Sequence, residues 1–486
     1  MLKKNSFLFV LFVNLLNFNT ALCKSQLLEL SLSDAIHISQ ERSIESYIAQ
    51  STFRINQLEY TNFRYSMMPN LSLSLAPGNY SRSIQEQWNN NTESYEFAEV
   101  NRLSSSGNLS LSKNIRLTGG TLSVNSNIYR NQSFGNSNYI GYNLQAFSIS
   151  YSQSIGKVNQ IKLQDKIQQL IFEEAKKNFL EGKEQLAIKT SQYFFDLLFA
   201  QLNNNIAGLN KNIADSLYQL GFTKKSIGGI TDYDLQVLEL KKTIAGIELI
   251  KIQSQKKEAD YNLLAILDMP EDSEIMCLVP NSIASALVNF EYARNLAYSN
   301  NPDLFSFNRK ILEVDNSIKQ AKSSKYDIYF SANVGYNKNS QEINSLFNKM
   351  DQMQSMNISV NIPILDWGEQ KRNVKITETN KEIVNYQIKE SYKEIDKKLF
   401  KLVEEYNMQQ KIIETSSRSN DIARKTYEFV VKRFDLGKAS ILEISEAYRD
   451  MKYSQNSYIE ALKNYWIYYY SLRAICMYDF INDVRL

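Results

Sequence analysis

Two glutamates three residues apart, Glu443 and Glu446, stand in the stretch RFDLGKASILEISEA (433–447), just after Gly437 in a long charged run. On a helix that spacing puts both carboxylates on one face. There they would draw cations, or, at the start of a helix, satisfy its unpaired N–H groups and complement its dipole. Asp234 has the matching place in KKSIGGITDYDLQVL (224–238), after Gly228 and Gly229. Acid–base or metal chemistry would need partners that are missing. The single histidine, His37, falls in a separate amphipathic pattern, and no CxxC, HExxH, GxSxG, phosphate-loop or EF-hand spacing occurs. The expected protein is not an enzyme and needs no cofactor or metal.

The two acidic stretches are copies of each other. At an offset of 209 residues Ile227-Gly228 falls on Leu436-Gly437, Thr231 on Ser440 and Asp234 on Glu443. The same offset lays SISYSQSIGK (148–157) on NISVNIPILDW (357–367). Nearer the amino terminus DAIHISQERSIESY, from Asp34, aligns with YARNLAYSNNPDLF, from Tyr292, at an offset of 258. The chain therefore reads as a tandem duplication whose first copy carries 49 extra residues. The expected organisation is a leader over 1–23, a first repeat over 24–280 and a second over 281–486.

The leader has a signal-peptide layout: Lys3 and Lys4, an apolar run from Phe7 to Leu16, and a small-residue exit near Ala21-Leu22-Cys23. The run is shorter than the roughly 20 residues that span a bilayer. Cys23 is placed as a lipoprotein cysteine would be, although Leu22 stands where a small residue is usually needed. Cys277 and Cys476 are too few for a disulfide framework. The formal charge of +3 falls to +1 without the leader, so no basic excess points to nucleic acid.

Six segments alternate with period two: LSLSL (71–75), NLSLSKNI (108–115), TLSVNSNIY (121–129), FSISYSQSI (147–155), YFSANVGY (329–336) and NISVNIPI (357–364). One face is apolar and the other is serine and asparagine, as in a membrane barrel wall or a half-buried soluble sheet. Between strands the pattern changes. Residues 157–227 and 366–436 are each 71 long and free of proline, and apolar residues such as Leu198, Leu202, Ile206, Leu209 and Ile213 recur at intervals of three and four. These stretches predict long antiparallel helical hairpins (157–268 and 366–478) that turn back at Gly228-Gly229 and Gly437, where glycine accepts the left-handed conformation ending a helix. Four strands fall in the first copy and two in the second, because the extra residues hold a hairpin over 107–130. Six strands cannot close a barrel, which needs about eight, so several chains must share one. Leu117-Thr118-Gly119-Gly120 reads as a tight turn, whereas 80–105, 130–142 and 338–355 read as long polar loops on the opposite side.

The LSLSDAI opening, the ISVNIPILDWGEQKRNV junction, RFDLGKASILEISEA and the two-copy plan together resemble the outer-membrane efflux protein family, the TolC-like trimeric channel-tunnels. The likeness covers nearly the whole mature chain. It implies an α+β fold: a long antiparallel α-helical coiled-coil barrel continued by a transmembrane β-barrel shared between protomers. It further implies a homotrimer in outer-membrane lipid, with its helical tunnel in the periplasm of a Gram-negative bacterium. Such a duct exports small molecules or polypeptides passively, in a tripartite efflux or type I secretion system. The implied partners are a periplasmic adaptor (membrane fusion) protein and an inner-membrane transporter of RND, ABC or MFS type. On this resemblance Glu443, Glu446 and Asp234 are pore-gate or acidic-ring residues, and Gly228, Gly229, Leu436, Gly437 and Lys438 form the helix-turn tip that an adaptor touches. An arginine that the family pairs with the aspartate is replaced here by Ala439, leaving Lys438 or Arg433 as substitutes. Family members usually contribute four strands each. The extra hairpin would either join the wall, for 18 strands in the trimer, or cap a wall of 12. A structural coiled-coil protein of the cell surface would lack the strands, and a periplasmic adaptor would have one helical hairpin flanked by small β-domains.

Overall fold

The computed structural model describes residues 28–89, 92–134, 138–280, 286–324, 327–436 and 438–486. The expected leader and Cys23 lie outside the described residues. In chain order the elements are β1 (Leu28–Leu30), α1 (Leu32–Arg42), α2 (Ile44–Ser66), β2 (Asn70–Asn89), β3 (Ser94–Asn114), β4 (Thr121–Phe134), β5 (Tyr139–Ile155), α3 (Gln160–Ser226), α4 (Asp232–Leu267) and β6 (Ile275–Cys277). They continue with α5 (Phe290–Asn300), α6 (Pro302–Ser323), β7 (Asp327–Ser340), a 3-10 turn (Ile343–Phe347), β8 (Asp351–Asn361), α7 (Glu369–Asp435), α8 (Ile441–Cys476), β9 (Tyr478–Asp479) and β10 (Val484–Arg485). The long helices match in length between the copies: α3 and α7 have 67 residues each, α4 and α8 have 36 each. At about 1.5 Å per residue the longer pair each extend about 100 Å. Among the described residues no helix is long and apolar enough to cross a membrane.

The chain divides into two compact units. One comprises Gln50–Phe179 and Ala297–Lys397 and holds a six-stranded antiparallel sheet in the order β2-β3-β4-β5-β7-β8. The alternating segments fall in it, except that Ile115 lies past the end of β3 and Ile362, Pro363 and Ile364 past the end of β8, and the extra hairpin is an internal part of it, between β2 and β5. The register sorts its side chains. Leu109 and Leu111 of β3 lie opposite Leu73 and Leu71 and, on the other side, Ser126 and Val124. Ile149 of β5 lies opposite Val124 and Val334, and Phe330 of β7 opposite Ile358. All these positions share one face, and most of its apolar side chains are exposed, Leu73 at 64% and Ile358 at 57%, with Val124 and Phe330 half-buried. The other face carries Ser72, Ser110, Asn125, Ser150, Asn333 and Ser359, tied across strands by Ser110 Oγ to Asn125 Oδ1 (2.6 Å), Asn127 Nδ2 to Gln145 Oε1 (2.7 Å) and Ser150 Oγ to Asn333 Oδ1 (3.1 Å). Gly335 sits beside the bulge of β5 between Gln145 and Phe147. A Cβ there would stand 2.3 Å from the Phe147 carbonyl oxygen, so a side chain would push the two strands apart.

Two sequence expectations need correction. Residues 80–105 are not a loop: β2 runs to Asn89 and β3 starts at Ser94, so the two continue as a ribbon. The ribbon's apolar positions alternate with charged ones, which hides the strand pattern, but the ladder is a backbone property and persists through Trp88 opposite Tyr95. Residues 130–142 are mostly strand too, with β4 ending at Phe134 and β5 starting at Tyr139. Of 338–355, the stretch 341–350 lies outside the ladder, and part of that is the 3-10 turn. In the helical part of the same unit, Phe172 of α3 stacks on Tyr60 of α2 with ring centroids 4.9 Å apart, and Arg309 of α6 holds Glu174 of α3 through two hydrogen bonds.

The other unit comprises the described part of Met1–Ala49, with Leu180–Leu296 and Lys398–Leu486. Its core is built from facing helical stripes: Phe194, Phe195, Leu197 and Leu198 of α3, Leu263 and Leu267 of α4, Leu399 and Tyr406 of α7, and Leu462 and Tyr465 of α8 are all essentially buried. Tyr406 and Tyr465 stack with centroids 5.2 Å apart. β1 and β6 pair in parallel, and β9 and β10 form a small antiparallel end. The helices α4 and α8 both end on a left-handed residue at equivalent places in the repeat, Asp268 and Met477.

Candidate functional site

The turn between α3 and α4 closes by a pattern the glycines make possible. Gly228 has φ of +73°, its N–H donates to the Lys225 carbonyl (2.9 Å), and the Gly229 N–H reaches back to the Lys224 carbonyl (2.7 Å). This pair of bonds satisfies two carbonyls at the end of α3. In the second copy the Lys438 N–H makes the equivalent bond to the Arg433 carbonyl (2.8 Å). Gly437, the expected counterpart of Gly228, lies outside the described residues. Ile227 and Leu436, at matching positions of the two turns, are exposed at 78% and 72%.

Both returning helices start with a reciprocal cap. In α4 the Asp234 N–H donates to Thr231 Oγ1 (3.2 Å) while the Thr231 N–H donates to Asp234 Oδ2 (3.0 Å). In α8 the Glu443 N–H donates to Ser440 Oγ (3.2 Å) and the Ser440 N–H to Glu443 Oε2 (2.6 Å). Each exchange satisfies two N–H groups that a helix start leaves unpaired. Charge follows from the same bonds. Asp234 is held below the usual carboxylate range by hydrogen bonds from the Thr231 side chain and backbone. Glu443 is lowered by the Ser440 backbone and side chain, with help from the Arg433 charge.

What holds these glutamates in place is the packing beneath them. Ile444, Ala447 and Met451 of α8 bury themselves against Ala423, Tyr427 and Val430 of α7 and Ile206 of α3. That stripe leaves Glu443 half-buried at its edge and Glu446 exposed. Arg433 joins the two sides of the second turn: its Nη1 lies 3.6 Å from Glu443 Oε1 and its Nη2 donates to the Lys438 carbonyl (2.7 Å). In the first turn Lys225 pairs with Asp232. The copies are linked where Lys241 Nζ of α4 donates to Ser445 Oγ of α8 (3.0 Å) and Lys452 pairs with Glu248.

The structure thus brings Glu443, Lys438 and Arg433 together, and seats Asp234 in its own cap with Thr231. Reading the sequence for acidic pairs missed Lys241 and Lys452. The repeat gives no signal for them, since at the offset of 209 Lys241 falls on Asp450 and Lys452 on Thr243. Elsewhere His37 is an exposed helix residue 3.6 Å from Glu41. Cys277 and Cys476 are buried thiols, each pushed up to about 12 by that burial and so protonated at neutral pH. Among the described residues no group of three or more His, Cys, Asp or Glu side chains could hold a metal ion.

Residues 293–476 match the family model of the outer membrane efflux proteins. No curated protein matches the chain by sequence. Solved structures match by fold. The Campylobacter jejuni CmeC outer membrane channel aligns at 12% identity and a TM-score of 0.66, covering 92% of this chain and 85% of that one. The Vibrio cholerae outer membrane protein VceC aligns at 11% identity and 0.62, covering 93% and 96%. The open state of the Neisseria gonorrhoeae MtrE outer membrane channel aligns at 14% identity and 0.60, covering 92% and 88%.

Proposed function

From the premise that this chain carries an outer membrane efflux protein domain, in a fold like that of solved outer-membrane channels, we propose that it is an outer-membrane efflux channel. One observation carries the reading: a six-stranded sheet with a continuous exposed apolar face, a serine–asparagine face, and two unpaired edges, on β2 and β8. An apolar outside and a polar inside are what lipid and a water-filled lumen require. The open edges demand partners, because no lipid group can satisfy a row of backbone N–H and C=O groups.

Three copies joined β8 to β2 would close a wall of 18 strands, within the size range that leaves an aqueous passage. In this proposal the long helical hairpins line a periplasmic duct. Their turns, with Ile227, Gly228, Gly229, Leu436, Gly437 and Lys438, meet a periplasmic adaptor fed by an inner-membrane transporter. Glu443, Glu446 and Asp234 ring the narrow end, where carboxylates on a threefold axis would favour cations. The chain contributes a passage and no chemistry, and its cargo is whatever the transporter delivers.

The test is extraction from outer membranes followed by unheated electrophoresis and planar-bilayer recording. The expected result is a heat-modifiable trimer that conducts. A freely soluble, non-conducting monomer would overturn the reading, and co-purification of the assembled complex would identify the adaptor and transporter.

A further inference from the structure

The apolar face of the sheet has an upper boundary, and cations stand on it. On β5 the side chains of that face run from Ile155 through Tyr151, Ile149 and Phe147 to Leu144, ten ladder steps once the bulge is discounted. At about 3.3 Å per step and a tilt of about 40°, this spans about 25 Å, the height of the apolar band of an outer-membrane barrel. Leu144 lies opposite Lys338 of β7, and the next residue of the same face, Tyr142, lies opposite Arg130 of β4. Lys338 and Arg130 flank β5, two strand spacings or about 10 Å apart laterally. Both are half-buried, and Arg130 Nη2 donates to Gln132 Oε1 (2.6 Å) on its own strand.

Above the cations the ribbon of β2 and β3 continues alone, because the β4 ladder ends with Phe134 opposite Asn101. It rises about 20 Å further along the strands, to Trp88 opposite Tyr95. Since β3 is unbroken, its odd-numbered residues keep to the apolar face of the sheet. The ribbon's side of that face carries Tyr80, Ile84, Trp88, Tyr95 and Phe97, all more than half exposed. Trp88 and Tyr95 meet edge to face at 5.2 Å, which holds their outer surfaces open. Among them the Arg82–Glu99 pair (2.7 Å) is neutral and Glu86 supplies acceptors. The opposite side of the ribbon carries Ser81, Ser83, Ser94 and Ala98, with no comparable aromatic surface.

The geometry points to a binding surface for a phosphorylated glycolipid of the outer leaflet. The inference rests on the channel reading, which makes the apolar face the lipid-facing one. Three tiers of one face follow the three parts of such a lipid: acyl chains on the apolar band, phosphates on Arg130 and Lys338, and sugars on the ribbon's aromatic rings and the Glu86 carboxylate. Continuity of the face argues against a protein partner or the pore interior. The aromatics point the same way as the side chains that meet lipid, so what surrounds the wall above its hydrocarbon level is what they meet. Cations at the boundary gain from phosphate what they would lose in hydrocarbon.

The experiment uses the full chain in nanodiscs and native mass spectrometry. The probes are bisphosphorylated lipid A with and without core sugars, phosphatidylglycerol, and inorganic phosphate alone. Retention of lipid A over phosphatidylglycerol is expected, stronger when core sugars are present, with none of the preference reproduced or displaced by millimolar phosphate. The double variant Arg130→Gln/Lys338→Gln should hold lipid A about tenfold less well. The double variant Trp88→Ala/Phe97→Ala should lose the preference for core sugars while keeping that for lipid A. Trimer migration and conductance should be unchanged in both, which shows that they fold and insert. Equal retention of lipid A and phosphatidylglycerol, or wild-type retention by both variants in conducting trimers, overturns the proposal and leaves the channel reading intact. A protein that neither inserts nor conducts overturns both.

Discussion

Glu443 has two possible roles, and a single atom-level change separates them. Glutamine at the third helical position can still cap the Ser440 N–H, so Glu443→Gln keeps the cap and removes the charge. Glu446 is exposed, whereas the charge of Glu443 is partly met by Arg433 at 3.6 Å. If the carboxylates ring a pore, Glu446→Gln should reduce cation preference more than Glu443→Gln, read as reversal potentials across a salt gradient in planar bilayers. Unchanged selectivity in the double variant would leave both as capping and surface groups. The cap is tested from its other side. Ser440→Ala should cost about 1 kcal/mol, the usual worth of such a cap, and appear as faster amide exchange in the first turn of α8. The pH dependence has a definite sign. Both cap carboxylates are depressed in the fold, so their contribution is complete above the ordinary carboxylate range, about pH 4, and is lost as pH falls through their lowered values. Protection of residues 231–237 and 440–446, corrected for intrinsic exchange, should be flat above that range and fall below it.

Strands and helices differ in how much of them the sequence disclosed. The long helices were legible because apolar spacing of three and four persisted without proline, and their ends because Thr231 with Asp234 and Ser440 with Glu443 spell a cap in four residues. The strands were legible wherever serine or asparagine alternated with an apolar residue. The ribbon was not. Arg82, Glu86 and Glu99 share its outward face with Ile84 and Phe97, and only pairing with the other strand, invisible in local pattern, makes it a strand. Arg433 was legible as a charge but not as the brace of the second turn, since its partners stand across that turn. The face assignment itself is open to test. Lysine at Ile149, on the apolar face, should destabilise the assembled wall by about 2–4 kcal/mol if it sits at bilayer mid-depth. Lysine at its neighbour Ser150 should cost much less and lower conductance instead. Equal effects on urea unfolding from liposomes would mean that the two faces do not meet lipid and water.

At the scale of the whole molecule, the proposed trimer would have the width of its passage set by the extra hairpin. β3 and β4 occupy the middle of the sheet, between β2 and β5, and neither is an edge that another chain would need. The strands around them alternate in direction, so β2 and β5 would still be antiparallel neighbours if β3 and β4 were removed with their turns. Such a deletion keeps both outer edges, β2 and β8, and therefore keeps whatever pairing closes the wall between copies. The proposed trimer should fall from 18 strands to 12. Barrel diameter grows roughly linearly with strand number, so the cross-section should shrink to roughly half. A density map of the deletion variant measures this directly, by strand count and by diameter at mid-membrane. Solute exclusion by neutral polymers would check it in function, provided the helical turns are not the narrower gate. If the diameter were unchanged, the β3–β4 hairpin would stand outside the closed wall in the assembled protein, and the single-chain sheet would have to open between β2 and β5 for the copies to join.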